Sequence, residues 1–375
     1  MLSHEYPPVG GGGGRVIQDL CQGLAGRGHE LRLMTTHFDH LPRRETVKGV
    51  DILRLPCGRK VPYRARFVEM ARYILGGLWV GLPLLRAWKP QLMHVHFAVP
   101  AGALAWLFWH VSRLPYVLTI HGGDVPGGAP EKTDRWFRWV YPLTPLIYRS
   151  AARVVAVSDH TRALARRHYA VDIQVIQNGI ALDSMQPNPF DLGDPPRVIW
   201  AGRFMPEKNP LQVVHSLAQL RHLKWHCVMI GDGPQRSLVE REIRHQGLGE
   251  RFLLTGWLSQ DEVMDWFAHS DILFMPSLSE GMPLVGLQGL AMGLAIVASR
   301  VGGFVDLVQP YHNGYLVEAQ NGEGFVQPLQ ELLTDPQRLR SFRQASRQVA
   351  KQFDICLMIE AYERLMTEVA GGSQS

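Results

Sequence analysis

The strongest constraint on this chain is a rhythm that runs through all 375 residues and breaks once. Short runs of Val, Ile and Leu alternate with longer segments of helical period. In the first half the spacing predicts a helix over 14–27 and strands over 30–35 and 51–55. A helical stretch over 66–88 follows, broken by Gly76, Gly77 and Pro83. Then come a strand over 92–97, a helix over 101–113 and a strand over 116–119. A mostly helical segment over 134–150, kinked at Pro142 and Pro145, precedes strands at 153–157 and 174–176 with a helix at 160–169 between them. Residues 183–196 are rich in Pro, Asn and Asp, lack any period and read as a linker. The rhythm then restarts, with strands at 197–201, 226–231, 252–255, 272–275, 295–298 and 314–317, each followed by a helix. Two more helices, 335–352 and 355–369, close the chain. Strands of this composition separated by helices imply parallel sheets covered on both faces. The predicted fold is α/β, with two tandem Rossmann-like, doubly wound domains facing a cleft, over 1–183 and 197–352 with the linker at 184–196. Ligand is expected at the carboxyl ends of the strands. One element looks short. The first, central strand should precede the loop at His4, yet only Met1, Leu2 and Ser3 stand there, against about five or six residues for a usual strand. The expectation is a strand whose start is missing.

Bulk properties narrow the class. Apolar residues make up 46% and charged residues 19%, as in soluble globular proteins. The cysteines (Cys21, Cys57, Cys227, Cys356) form no C-x-x-C pair, so reduced thiols and a cytoplasmic location are expected. Residues 91–112 contain no Asp, Glu, Lys or Arg, but His94, His96, His110, Pro100 and Gly102 suit a bilayer span poorly, so a strand, turn and helix are expected instead. Charge is uneven. Residues 1–185 carry 23 Lys and Arg against 13 Asp and Glu, a balance of +10, and the rest carry 16 against 21, a balance of −5. A basic first half suits an anionic partner.

Several segments could carry chemistry. In residues 277–299, Glu280 sits in a Ser/Gly/Pro loop that opens into an apolar helix. A helix start offers unpaired N–H groups to an anion, and a carboxylate beside it accepts from sugar hydroxyls. The same spacing, Ser277 to Glu280, also fits a capping box. Arg203 and Lys208 share the loop after strand 197–201, where two cations could grip two phosphates or simply sit on a surface. His121-Gly122-Gly123-Asp124 follows the strand 116–119. Five glycines, Gly10 to Gly14, precede the first helix and could turn their amides to a diphosphate or form only a flexible turn. Ile230-Gly231-Asp232-Gly233-Pro234 lacks the third glycine of a dinucleotide fingerprint, because Arg236 stands there. There is no Asp-x-Asp, no metal-type His/Asp/Glu spacing and no G-x-S-x-G elbow.

In order along the chain, S-H-E-Y-P-P with its glycine loop, G-L-A-G-R-G-H-E-L, H-G-G-D, V-A-V-S, Q-N-G-I, A-G-R-F-M-P-E-K-N, I-G-D-G-P, T-G-W-L-S and E-G-M-P-L-V resemble the retaining glycosyltransferases of family 4, of GT-B fold. The resemblance covers nearly the whole chain. It implies that Arg203 and Lys208 hold the diphosphate of a nucleotide-sugar donor, and that Glu280 holds the transferred sugar with amides from Gly281, Met282, Pro283 and Leu284. It further implies that His121 lies beside the reaction centre, that Gly13 and Gly14 approach the diphosphate, that backbone near Leu258 and Gly231 meets the nucleotide, and that the last helix returns to the first domain. Two positions depart from the family pattern. Gln288 stands where a second Glu usually binds ribose, which puts donor affinity in doubt. Ala181 stands where Asp usually follows N-G-I, which puts a hinge contact in doubt.

The implied reaction keeps the anomeric configuration and needs no metal or cofactor. The expected partners are the donor, a glycan or lipid-linked acceptor and an anionic membrane surface, and not nucleic acid. Residues 59–72 and 132–149, basic and aromatic, with the apolar 73–85 between them, could rest on the inner face of a plasma membrane or be core helices with solvated cations. Alternatives are a non-catalytic nucleotide-sugar-binding protein, or an epimerase or phosphorylase on the same fold.

Overall fold

A computed structural model describes residues 1–62, 65–128, 139–187 and 190–372. It divides into two compact units, Met1–Gly179 with Ile355–Ser375, and Ile180–Asp354.

In the first unit, β1 (Leu31–Thr36), β2 (Arg44–Val47) and β3 (Val50–Leu55) form one sheet segment in the order β1-β3-β2. The strands β4 (Met93–His96), β5 (Tyr116–Ile120), β6 (Arg153–Ala156) and β7 (Ile173–Val175) form another in sequence order. Residues Met1 to Ser3 join the two, since Leu2 bridges both Met34 and Val95 in parallel. Its N–H donates to His94 O at 2.9 Å, and its carbonyl accepts from His96 N at 3.0 Å. All neighbours are parallel except β2, which pairs antiparallel with β3. That hairpin was not predicted from the sequence, because Val47 is the only apolar residue of β2. Its two-residue turn, Lys48-Gly49, has φ of 49° and 80°, as hairpin turns of the primed type require.

One face of this sheet is covered by the helix Gly12–Gly26 and the C-terminal helix Ile355–Gly372, through Ile17, Leu20, Leu24, Met358, Ile359 and Tyr362. Gly23 makes this contact close, because a Cβ there would stand 2.2 Å from Ile359 Cδ1. Arg27 Nη1 donates to Glu363 at 2.7 Å at the rim.

The helices Phe67–Trp88, Ala103–Ser112 and Thr144–Ser150 cover the other face. Phe67–Trp88 is unbroken, contrary to the expected interruption at Gly76, Gly77 and Pro83. Gly77 and Gly81 lie on its buried face, where Cβ atoms would meet Leu104 at 2.4 Å and Phe108 at 2.3 Å, so the glycines admit a neighbour rather than end the helix. Pro83 is exposed, so the carbonyl one turn earlier that loses its donor can be solvated. Of the expected helix over 134–150, residues 134–138 fall outside the described residues.

The second unit is a six-stranded parallel sheet: β8 (Arg197–Ala201), β9 (His226–Ile230), β10 (Phe252–Gly256), β11 (Ile272–Met275), β12 (Ala295–Ser299) and β13 (Gly314–Val317). Its order is β10-β9-β8-β11-β12-β13, so connectivity reverses between β8 and β11. At the amino ends of these strands, buried Arg343 donates to Asp271 at 2.8 Å and to Gly293 O at 3.0 Å, and Asp271 accepts from Arg197 N at 2.8 Å. This polar knot fixes the helix Pro336–Ala350 beneath the sheet. The unit boundary lies at Gly179/Ile180, before the expected linker at 184–196. Ile180 pairs with Asp354 and its N–H donates to Phe353 O at 2.8 Å, so the chain enters and leaves this unit side by side.

Candidate functional site

In the second unit Lys208 and Glu280 meet where the strand order reverses, while Gly231 and Leu258 follow the neighbouring strands β9 and β10. In doubly wound sheets such a reversal leaves a crevice at the carboxyl ends of the strands. β8 leads into a tight loop. Phe204 is buried against Trp200, at 4.8 Å between rings, and its N–H donates to Asp232 O at 3.0 Å. A single 3₁₀ turn, Pro206–Lys208, then presents Lys208 before Asn209 turns left-handed (φ 48°) and the helix Pro210–Gln219 begins. The loop after β11 is tied to it by Leu278 N donating to Glu207 O at 2.8 Å. Lys208 Nζ then meets Glu280 Oε1 at 2.6 Å, across 72 residues of sequence. The side chains are 18% and 7% exposed, so the pair is largely shielded from water. Arg203 shares the β8 loop with Lys208.

Glycines bring these loops together. A Cβ on Gly302 would stand 2.0 Å from Glu280 O, and one on Gly231 would stand 2.0 Å from Gly202 O. Both have positive φ, 54° and 122°. Gly231 N also donates to Gly256 O at 2.8 Å, which links the carboxyl ends of β8, β9 and β10. Gly231 therefore shapes the wall behind the loops. Leu258 lies just past β10, in the loop before the helix Gln260–Ala268.

Two sequence expectations need correction here. The apolar helix runs over Leu284–Ala291 with Pro283 as its N-cap and no side-chain cap, so Ser277 and Glu280 form no capping box. Ser277 Oγ is buried with no hydrogen-bond partner. The stretch Gly281, Met282, Pro283, Leu284 also offers one amide fewer than expected, because proline has no N–H. Gln288 lies in the second turn of this helix and is 9% exposed.

In the first unit His121 follows β5. Its N–H donates to Asp124 Oδ1 at 2.9 Å, and Asp124 Oδ2 accepts from Ala98 N at 2.8 Å. Burial raises the Asp124 carboxyl above its ordinary range, while these backbone donors pull the other way. The His121 ring stacks on Phe97 at 4.4 Å and meets His96 through Nε2···Nδ1 at 3.1 Å. Phe97 has φ 72° and ψ 129°, a backbone state that costs a non-glycine residue about 1–3 kcal/mol and that functional sites tend to retain. Burial holds the His121 and His4 imidazoles down at about 4 and those of His94 and His96 well below the ordinary value, so all four are neutral at pH 7.

Gly13 and Gly14 separate. Gly13 lies beside the ring, where a Cβ would be 3.6 Å from His121 Nδ1. Gly14 is buried, with the Cβ position 3.1 Å from Val9 O, so it packs the glycine loop rather than facing outward. His96, Phe97 and Asp124 were not singled out as site residues from the sequence. The signal was the His94-x-His96 pair at the end of an apolar strand.

No cluster of three or more His, Cys, Asp or Glu with metal-binding geometry occurs among the described residues. Among the described residues one helix, Phe67–Trp88, is long and apolar enough to cross a membrane, and it is not the 91–112 stretch. Tyr73, Gly77 and Gly81 on its inner face are buried in the unit's own core.

Known proteins agree with this architecture. Residues 10–184 match the model of Glycosyltransferase Family 4 and residues 185–349 that of Glycosyl transferases group 1. The 2-deoxystreptamine N-acetyl-D-glucosaminyltransferase of Streptomyces fradiae is 28% identical over 371 residues, which cover 90% of this chain and 85% of that one. Sucrose-phosphate synthase from Thermosynechococcus elongatus superposes with a TM-score of 0.86 at 20% identity, covering 99% and 98% of the two chains. Anabaena HepE in complex with UDP-glucose gives 0.75 at 18% identity, covering 98% of each. These two structures establish the GT-B fold.

Proposed function

This chain belongs to the family 4, group 1 glycosyltransferases, and we propose that it moves a sugar from a nucleoside diphosphate donor to an acceptor hydroxyl with retention of configuration and without a metal ion. The observation that carries this reading is the 2.6 Å contact of Lys208 with Glu280 at the point where the strand order reverses. A cation for phosphate and a carboxylate for hydroxyls stand side by side, as the two ends of a sugar–phosphate linkage require. With donor bound, Lys208 shifts from Glu280 to phosphate, with Arg203 on the same loop as the second cation. Glu280 is then released to accept from hydroxyls of the transferred sugar. The start of the helix Leu284–Ala291, which no side chain caps, faces the developing negative charge. Gln288 bonds the ribose, backbone near Leu258 meets the base, and His121 bonds a sugar hydroxyl.

Chemistry then proceeds by same-face displacement. The acceptor oxygen forms the new bond as the anomeric carbon–phosphate oxygen bond breaks, and the departing phosphate takes the acceptor proton. The protein contributes position and electrostatic stabilisation of the leaving group.

The acceptor class is read from the helix Phe67–Trp88. Its outward stripe is Val68, Arg72, Leu75, Trp79, Pro83 and Arg86, with Trp79 85% and Leu75 67% exposed. An apolar stripe flanked by arginines suits an anionic membrane surface and hence a lipid-linked acceptor. The test is to incubate the full chain with UDP-, GDP- and ADP-sugars in the presence of a chelator. Slow release of nucleoside diphosphate and a sugar that keeps the donor's anomeric configuration are expected. Donor binding with no release would overturn the reading in favour of a sensor.

A further inference from the structure

His121 rests on a chain of side chains that runs back to the C-terminal helix. His96 ends β4 and pairs in register with Thr119 of β5, two residues before His121. His96 Nδ1 lies 3.1 Å from His121 Nε2. The His96 ring packs tilted against His94 at 4.2 Å between centroids, His94 Nε2 meets Thr119 Oγ1 at 2.8 Å, and Thr119 Oγ1 meets Tyr362 OH at 3.2 Å. The other nitrogens of the two inner rings, His96 Nε2 and His94 Nδ1, are buried without a partner. Among the described residues no hydrogen bond occupies His121 Nδ1, which lies on the side of Gly13.

A neutral imidazole has one donor and one acceptor, so a His–His contact permits two arrangements. If His121 Nε2–H donates to His96 Nδ1, the proton of His96 must sit on Nε2, and a buried N–H is left with no acceptor. If His96 Nδ1–H donates to His121 Nε2, the group left over is only a lone pair on His96 Nε2. Orphaned buried donors are the rarer defect, so the second arrangement is favoured. The Phe97 ring at 4.4 Å fixes the plane of His121 while His96 fixes its protons.

We infer that His96 is a positioning residue that holds His121 in the Nδ1–H tautomer, so that His121 meets its ligand as a hydrogen-bond donor and not as a base. The ligand atom, an oxygen of the donor sugar, rests on the function proposed above. The tautomer itself does not. Burial, which keeps both rings neutral at pH 7, is consistent with the assignment.

The test labels the full chain with ¹⁵N-histidine and reads the two ring nitrogens of His121 at pH 7, with the signals assigned through a His121→Asn variant. A protonated Nδ1 and a bare Nε2 are expected. His96→Leu should give a mixture of tautomers and lower kcat roughly a hundredfold with little change in donor KM, since misplacement of one group on this scale costs about that much. His96→Asn places an amide N–H where Nδ1 stands and should restore both the tautomer and most of kcat. A bare Nδ1 in the wild type, or a single unchanged tautomer in His96→Leu, would overturn the assignment. Unchanged kcat in His96→Leu would remove the positioning role. If no donor sugar is turned over by the wild type, the proposed function fails, and the nitrogen signals still decide the tautomer.

Discussion

The second unit places an ion pair where its strand order reverses, and the first places four neutral imidazoles near the ends of its central strands. Lys208 and Glu280 are held by loops that glycines bring into backbone contact. The imidazoles of His4, His94, His96 and His121 are held by ring contacts, stacked only between His121 and Phe97, and Phe97 itself has a positive φ. On the proposed function, the difference follows from what each would bind. A diphosphate needs cations, and Lys208 and Arg203 share one loop. A sugar hydroxyl needs a directed donor, and burial keeps that group from charging.

The largest expected effect falls on the charged side. Lys208→Ala combined with Arg203→Ala should lower turnover by roughly a hundredfold to a thousandfold, as loss of electrostatic stabilisation of a leaving group does. Circular dichroism should show the fold intact. Loss of less than tenfold would break the contrast between the two units.

Next come the glycines. Gly231→Ala puts a Cβ 2.0 Å from Gly202 O at φ 122°, and the melting curve should show a loss of about 2–4 kcal/mol. Gly13→Ala lies in a helix with its Cβ 3.2 Å from Phe97 Cζ. It should leave the melting temperature nearly unchanged while donor turnover falls.

The imidazoles predict a pH dependence. The folded values of His4 and His121 lie near 4, below the unfolded 6.5. Between these values the unfolded chain binds more protons than the folded one, so stability is full above about pH 6.5 and is lost as pH falls toward 4. Chemical denaturation across this window should show the first unit weakening more than the second.

The smallest effect concerns Gln288→Glu. Replacing a neutral acceptor with a charged one should tighten donor binding by roughly tenfold at most, read by calorimetry.

Much of this was legible in the sequence because parallel strands, buried on both faces, are continuous runs of Val, Ile and Leu. The strands 272–275 and 314–317 coincide with β11 and β13 to the residue. Lys208 and Glu280 were legible as separate motifs, each following such a strand. What the sequence hid was tertiary. Gly77 looks like a helix breaker until Leu104 is seen against it. β2 has too few apolar residues to announce an edge strand. Ser277 to Glu280 has the spacing of a cap, yet the helix begins beyond Glu280, with Pro283 as its N-cap. His96 looked like a residue unsuited to a bilayer because its partner, His121, lies 25 residues away.

The most direct measurement is calorimetric binding of a nucleoside diphosphate sugar to the wild type and to Lys208→Ala, with the bare nucleoside as control. A cation-held pyrophosphate predicts that the variant loses affinity for the sugar nucleotide by at least tenfold while nucleoside binding stays the same. Equal affinity of both proteins for the sugar nucleotide would contradict it.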